Sequence, residues 1–502
     1  MKLLSAQQIR EWDQYTIANK PIPSINLMEK AALACMTWMN DKGIERCISK
    51  IFCGKGNNGG DGLAIARLLI QKGHSPTIYI LESENKGTVD FEANLQFLTE
   101  YTDDIHFIKS VDDFPFIEDT EWVIDALFGS GLNRPLHAVS AELVQHINQS
   151  GSKIISIDIP GGMGIDFSCK NKSVIRANHT VTFQNLKRCF LIAENADFFG
   201  KISVLDIEPD NRFLETVETL FTCISGPLVH SMLQPRKPFS HKGNHGHALL
   251  LAGNKGKMGA AVIAAKACLR SGAGMLTVNV PFAFSSIIHG SIPEAILIAR
   301  EENIQFLNVY KSIGIGPGFG MDGDSERILA LILSGFSAPM VIDADAITIL
   351  SLHKDWLTSV PRGSILSPHP KEFDRLFGSC ENDYERADKA MALSKKYPFI
   401  IILKGHHSLI AADGRGWYNL TGNAGLAKGG SGDVLTGMLT ALLAQQYSPL
   451  HAALIGVYLH GLAADIAIEE QSMESLLATD IIEMIGKAFR KVLHDTVDSI
   501  AV

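Results

Sequence analysis

The sequence predicts two α/β domains in tandem, and three observations carry the prediction. The chain has 502 residues, more than a single hydrophobic core usually serves. A strand, a glycine loop, a helix and a second strand follow one another within residues 50–81, the pattern of a β-α-β unit. After a proline-broken stretch at 208–238 the alternation of strands and helices starts again. Composition predicts a soluble globular protein and narrows its partners. Lys+Arg number 45 against Asp+Glu 54, a net charge of -9. No basic block stands out, which argues against nucleic acid as the principal partner. Residues Ser5 to Arg10 turn polar too early for the apolar core of a signal peptide, and no window approaches about 18 uncharged apolar residues. The expectation is a cytoplasmic protein with no membrane segment. The eight cysteines include no C-x-x-C pair, so buried thiols are expected rather than a zinc site or a disulfide framework.

Taken in order, residues 5–19 read as a helix capped by Ser5, and 26–42 as an apolar helix bearing Leu27, Met28, Ala31, Ala32, Ala34 and Met36. The apolar run Lys50–Cys53 is a short buried strand. It leads into Gly54-Lys55-Gly56-Asn57-Asn58-Gly59-Gly60-Asp61-Gly62, then an apolar-periodic helix from Leu63 to Lys72 and a strand from Pro76 to Leu81. A loop in that place sits at the carboxyl edge of a parallel sheet, where ligands bind. It lacks the Gly-Lys-Ser/Thr of a P-loop and matches G-x-G-x-x-G poorly. Its two amides and its carboxylate exceed what a structural turn requires, which points to a ligand. Two later strands, 121–125 and 154–158, end in Asp125 and Asp158, and glycine turns follow at Gly129–Pro135 and Gly161-Gly162. One strand-end acid is an ordinary cap or surface turn. Two of them, beside the first glycine loop, suggest oxygen ligands for a hard cation and an acid/base group.

On these residues, together with Asp158-Ile159-Pro160 and Thr180-Val181-Thr182-Phe183 followed by Lys187, the first half resembles the N-terminal domain family of NAD(P)H-hydrate epimerases. The resemblance implies a Rossmann-like three-layer domain over 1–215, usually dimeric, with a bound potassium ion (K+). It implies that Asn57, Asn58, Gly59, Gly60 and Asp61 hold the hydrated nucleotide, with Gly129, Ser130, Gly131, Leu132, Asn133, Arg134 and Pro135. Asn58 and Asp125 would help coordinate potassium, and Asp158 would contact the substrate. One departure stands at Gly161, where the family's Ile-Pro-Ser-Gly reads Ile-Pro-Gly-Gly. The ion site survives there if the ligand is a backbone carbonyl and is weakened if it is the serine hydroxyl.

Residues 201–207 read as the last strand of the first half. Pro209, Pro227, Pro235 and Pro238 then interrupt the periodicity, and 216–235 is expected to link the halves. Over 236–502, strands are expected at 247–252, 275–280, 312–315, 339–343, 364–367 and 399–403. Helices are expected at 258–271 and, at the end, over 431–445, 449–469 and 479–493. One stretch dominates this half: four glycines lie between Gly425 and Gly432, with Asp433 directly after and an apolar helix following. Such a turn presents unpaired N–H groups and the positive end of a helix dipole, an anion cradle with a base inside it.

With His241-Lys242-Gly243, Met258-Gly259-Ala260-Ala261, Gly316-Pro317-Gly318, Ile342-Asp343-Ala344-Asp345-Ala346, Ser367-Pro368-His369-Pro370 and Lys404-Gly405, this stretch resembles the ribokinase-like fold. The closer likeness is to the ADP-dependent NAD(P)H-hydrate dehydratase branch. The resemblance implies that Ala260, Gly318, His369 and Asp433 contact the hydrated nicotinamide nucleotide (NADHX or NADPHX). Lys404, Gly405, His406, His407, Ser408 and Gly432 would contact the adenine nucleotide, with magnesium (Mg2+) accompanying ADP. A homo-oligomer is also expected. The pair Asp343/Asp345 reads equally well as strand-end capping and receives no catalytic role.

A hydrated reduced nicotinamide carries its hydroxyl beside the ring nitrogen, whose lone pair expels it once it leaves easily. The resemblance implies that Asp433 takes the hydroxyl proton and that phosphoryl passes from ADP. Gly430 to Gly432 and the helix N-terminus would steady the moving charge. Loss of phosphate then restores the nicotinamide and leaves AMP. The first domain would interconvert the two hydrate diastereomers, with Asp158 serving as acid and then as base. Two rivals remain open: a small-molecule kinase, since Gly-x-Gly-Asp is shared with vitamin and sugar kinases, and a non-catalytic first domain, which the presence of Asp61, Asp125 and Asp158 together opposes.

Overall fold

The computed structural model describes residues 1–20, 22–84, 86–136, 138–302 and 307–494. These form two units: Lys2–Thr219 with Asn382–Tyr384, and Leu220–Glu381 with Met1 and the residues from Glu385 onward. In the first unit a seven-stranded sheet runs Ile105–Ile108, Thr77–Leu81, Ile48–Cys53, Trp122–Ala126, Lys153–Ile157, His179–Phe183, Lys201–Leu205, with every pair parallel. A parallel sheet covered on both faces needs strands that are apolar on both sides. Ile51, Phe52, Val123, Ile124 and Ile155 are accordingly fully buried. One face packs with Leu63, Ile65 and Leu69, the other with Leu143, Val144 and Ile147.

Strand order reverses between Ile48–Cys53 and Trp122–Ala126, so their carboxyl ends open a crevice. Gly54 must be glycine there, because a Cβ would lie 1.9 Å from the Leu127 carbonyl oxygen. Ser5 caps Ala6–Asn19 as expected, in a reciprocal box with Gln8. The helix after the glycine loop begins at Asn57 rather than Leu63. Residues 57–62 are therefore its first turns, and their glycines serve close packing. A Cβ on Gly59 would fall on the Gly54 carbonyl, and one on Gly60 would lie 2.7 Å from Met28 Sδ.

In the second unit the strands run Phe221–Cys223, Arg415–Tyr418, Leu409–Ala412, Ile400–Leu403, Ile365–Leu366, Met340–Ile342, Ser312–Ile315, His247–Leu251, Met275–Val280, Ile296–Ala299. The order reverses between His247–Leu251 and Ser312–Ile315, both parallel to their neighbours. Leu409–Ala412 pairs antiparallel with the strands on either side. Its hairpin with Arg415–Tyr418 turns on Asp413 and Gly414, both at positive φ, an Asp-Gly signal that the sequence carries openly.

Residues 216–235, expected as a linker, include a strand and a helix of this unit. Phe221–Cys223 pairs parallel to Arg415–Tyr418, and Ile224 and Val229 are buried in the core. Pro227 does not break structure, because it stands in the first turn of Gly226–Met232, where no N–H is needed. The helix Pro449–Ala467 is long and apolar enough by composition to cross a membrane, a window the sequence reading missed, yet 78% of it is buried in the unit. Glycine also lets helices touch: a Cβ on Gly437, within Ser431–Ala444, would lie 2.1 Å from the Ala264 carbonyl of Met258–Arg270.

Candidate active sites

In the first unit Asp158 follows its strand with φ +67°, a left-handed conformation that costs a non-glycine residue roughly 1–3 kcal/mol. Its carboxylate accepts from Lys187 Nζ at 2.9 Å and from the Ser130 N–H at 2.7 Å. Lys187 is buried as well, and donates to Thr182 Oγ1 at 2.5 Å and to the Phe183 carbonyl at 3.0 Å. Burial works to raise the Asp158 carboxyl, but the Lys187 ammonium and Ser130 outweigh it and hold it below the usual range. Its neighbours shift the other way. Burial and the Asp158 charge push Asp13 up to about 6 against the pull of Lys187. Burial and the charges of Asp158, Asp13 and Asp90 push Asp61 well above its ordinary value.

Gly129 is what lets this group assemble, since a Cβ there would lie 2.9 Å from Asp158 Oδ2 and 3.1 Å from the Asn58 side chain. Asn58 is buried, and its Oδ1 and Nδ2 have no hydrogen-bond partner. Leaving such a group unpaired costs about 1–3 kcal/mol, which marks the place for a polar ligand. Asp125, fully buried, accepts from Ser156 Oγ at 2.6 Å and from the N–H groups of Gly161 at 2.7 Å and Leu127 at 3.1 Å. Burial still pushes it up to about 6 against those donors. A Cβ on Gly161 would lie 2.8 Å from Asp125 Oδ1, and the Gly161 carbonyl accepts from Ile175 N–H at 2.9 Å.

The remaining expected contacts divide. Asn57 is exposed at the helix start, whereas Gly59 and Gly60 are buried against Gly54 and Met28. Gly131, Asn133 and Arg134 are exposed in the turn closed by the Leu132 N–H to the Gly129 carbonyl, with Pro135 half-buried behind it.

In the second unit Gly430 takes φ +94° and Ser431–Ala444 begins directly after it, placing Asp433 in the first turn. The glycine turn lies between two cavities. One, of about 660 Å³, is lined by Lys404, Gly405, His406, Ser408, Ser431 and Gly432 among others. The second, of about 400 Å³, is lined by Gly256, Lys257, Ala260, Gly318, Gly430 and Asp433 among others. Gly429 borders both. Burial and the nearby Asp343 carboxylate raise Asp433 to about 7 despite Lys404.

Two expected residues stand elsewhere. His369, grouped with Ala260 and Gly318 by the family resemblance, lines the Lys404 cavity instead. Its Nδ1 caps Pro370–Phe377, accepting from the N–H groups of Lys371 at 3.1 Å and Glu372 at 3.3 Å. His407 does not line that cavity itself; its Nδ1 lies 3.2 Å from the carbonyl of Asn419, which does, and burial lowers it to about 4.

Comparison with known proteins identifies the family. A sequence profile described as NAD(P)H-hydrate dehydratase matches residues 248–487, and one described as YjeF-related protein N-terminus matches 24–189. A bifunctional NAD(P)H-hydrate repair enzyme of Thermofilum pendens is 32% identical over 89% of this chain and 88% of its own. That of Coxiella burnetii is 32% identical over 95% of this chain and 97% of its own. The chain belongs to the bifunctional NAD(P)H-hydrate repair enzyme family. A solved ribokinase-like superfamily protein from Enterococcus faecalis, 28% identical, covers 55% of this chain and 98% of its own at a TM-score of 0.50, in keeping with the fold expected for the family's second domain.

Three residues of this family member went without a role in the sequence. Lys187 appeared only within a motif, and nothing local announces its partner Asp158. Asp13 lies on the first helix between the buried Trp12 and Thr16, a polar residue beside a buried face, which was the signal available. Asp343 read as a cap, yet its side chain makes no capping bond to the helix that follows it.

Proposed function

We propose that this chain repairs hydrated nicotinamide nucleotides, interconverting the two NAD(P)H-hydrate diastereomers in its first unit and dehydrating one of them with ADP in its second. The observation that carries the reading is the glycine turn at Gly429–Gly432, with Asp433 facing one cavity and Ser431 and Gly432 facing the other. A base that meets a hydroxyl on one side and backbone donors that meet a polyphosphate on the other are the two requirements of phosphoryl transfer. Asp433, raised to about 7, accepts the hydroxyl proton near neutral pH. Lys404 and the backbone donors of the glycine turn would receive the nucleotide phosphates, and magnesium bound to those phosphates would offset their charge.

In the first unit the charge states divide the work. Asp158, held below the usual range by Lys187, acts as base toward the returning water, and Asp61, pushed toward its protonated form by burial and the neighbouring carboxylates, acts as acid toward the departing hydroxyl. Asn58 with its unpaired buried amide, the buried Asp125 carboxylate and the second lone pair of the Gly161 carbonyl fit a potassium ion. Such an ion would supply a fixed positive charge that orients the substrate.

The test is incubation of the full chain with mixed hydrate diastereomers plus ADP or ATP, following the near-ultraviolet absorbance of the dihydronicotinamide. Complete recovery that depends on the nucleotide is the expected result. Recovery of one diastereomer alone removes the epimerase half, and phosphorylation of an unrelated small alcohol without recovery favours a kinase.

A further inference from the structure

We infer that Asp343 is a positioning residue for the chemistry of the second unit, one carboxylate that ties Lys404 to the first turns of the helix carrying Asp433. The inference rests on the dehydratase reading proposed above.

Asp343 follows the strand Met340–Ile342 and precedes the helix Ala344–Leu352. That is the place of a helix cap, and a capping aspartate turns its oxygens back to the N–H groups of its own helix. This one does not. It is 2% exposed, with Oδ1 accepting from Lys404 Nζ at 2.7 Å and Oδ2 from Thr436 Oγ1 at 2.7 Å. Lys404 follows the strand Ile400–Leu403, and Thr436 lies three residues after Asp433 on Ser431–Ala444, on the same helix face. Asp343 therefore joins two strand ends and a helix start that are distant in the chain. Between its partners is Gly432, where a Cβ would stand 3.5 Å from Lys404 Nζ and 3.7 Å from Asp343 Oδ2. Gly432 thus lies in van der Waals reach of both partners, and it lines the same cavity as Lys404.

A buried ion pair is weak support for stability, because desolvation offsets its attraction. What it fixes is placement. With Asp343 holding Lys404, the ammonium stays beside the glycine turn, and Thr436 fixes the angle at which that turn meets it. The charged groups around Asp433 form a short set. Asp343 and Asp345 come from one strand end, Lys404 from another, and Glu372 on Pro370–Phe377 lies 4.0 Å from Lys404. Asp345 is itself engaged by Lys257 at 3.1 Å and by the Gly320 N–H at 2.9 Å. His460, on Pro449–Ala467, has Nε2 3.0 Å from the Ser431 carbonyl, and burial lowers it to about 4, so it adds no charge at neutral pH.

The experiment compares the wild-type full chain with Asp343→Asn and Thr436→Val, measuring kcat for ADP-dependent dehydration across pH and ADP affinity by calorimetry. Asp343→Asn is expected to lower kcat about 100-fold through misplacement and to weaken ADP binding. It is also expected to move the acid limb of kcat down by about one pH unit, because a like charge is removed and Lys404 is left unpaired beside Asp433. Thr436→Val keeps the charge and is expected to lower kcat with the limb unmoved. A lower kcat in Asp343→Asn with an unmoved limb and unchanged ADP affinity would make Asp343 merely structural and overturn the inference, as would an unchanged kcat. Should Asp343→Asn fail to fold, an undiminished kcat in Thr436→Val overturns it. A wild type without ADP-dependent turnover sinks the dehydratase reading instead, and an ADP affinity unaltered by Asp343→Asn then sinks this inference separately.

Discussion

Asp158 in the first unit and Asp433 in the second are both buried or half-buried carboxyls with a lysine near them at the crevice of a parallel sheet, yet their proton affinities move in opposite directions. The difference lies in what each lysine is doing. Lys187 pairs directly with Asp158 at 2.9 Å, so the ion pair overcomes burial. Lys404 gives its close contact to Asp343 at 2.7 Å, leaving Asp433 to feel burial and a neighbouring carboxylate more than the ammonium. The same two residue types thus make a carboxylate held below its usual range in one unit and a group poised near neutrality in the other. A motif that names the acid says little about its charge until the partner of the nearby lysine is known.

The sharpest way to break this comparison is to remove one acid at a time. Asp433→Asn is expected to lower dehydration by roughly 100- to 10,000-fold and to leave interconversion of the diastereomers intact; loss of both activities would mean the units are not chemically independent. Lys187→Met comes next. Stranding Asp158 as a buried unpaired charge is expected to cost about 3–5 kcal/mol, read by denaturant unfolding of the first unit, and to depress epimerisation. The sign with pH follows from the direction of the shift. Asp158 has a folded pKa below its unfolded value, so the wild type keeps its contribution above about pH 4 and loses it as pH falls through the folded value. The gap between wild type and variant should therefore narrow in acid.

A subtler contrast is in the rate profiles. Dehydration should fall as pH drops through about 7, where Asp433 takes a proton, whereas the limb of epimerisation assigned to Asp158 should lie at lower pH. Coincident limbs would show that the two carboxyls do not differ in this way. The smallest effect is expected from Ser156→Ala, which takes one donor from Asp125. A loss of about 1–2 kcal/mol in unfolding free energy and weakened potassium dependence would place Asp125 in the binding crevice, and an unaltered ion response would remove it.

Much of this architecture was legible because it is local. A helix N-cap such as Ser5, the apolar run Lys50–Cys53 and the glycines before Asp433 each declare themselves within a few residues. The start of the helix at Asn57 was not legible, because glycine and asparagine are poor helix formers; only the packing of Gly59 on Gly54 and of Gly60 on Met28 makes that turn favourable. Residues 216–235 failed for a related reason. Their prolines read as breaks, and the strand they contain is short and is stabilised by a partner almost two hundred positions away, Arg415–Tyr418.

By itself the sequence indicated two α/β units in tandem, many of their strands and helices, and the glycine turns with the acids Asp158 and Asp433 beside them, because backbone preference and periodicity act over short spans of chain. Only the tertiary structure decided which strand ends become neighbours. With that came the pairing of Lys187 with Asp158, the capture of Lys404 by Asp343, the turning of His407 toward Asn419 and the placing of His369 in the Lys404 cavity. These depend on sheet order and on burial, which set the distances and the local dielectric that fix where a proton resides, and neither quantity is written in the spacing of residues along the chain.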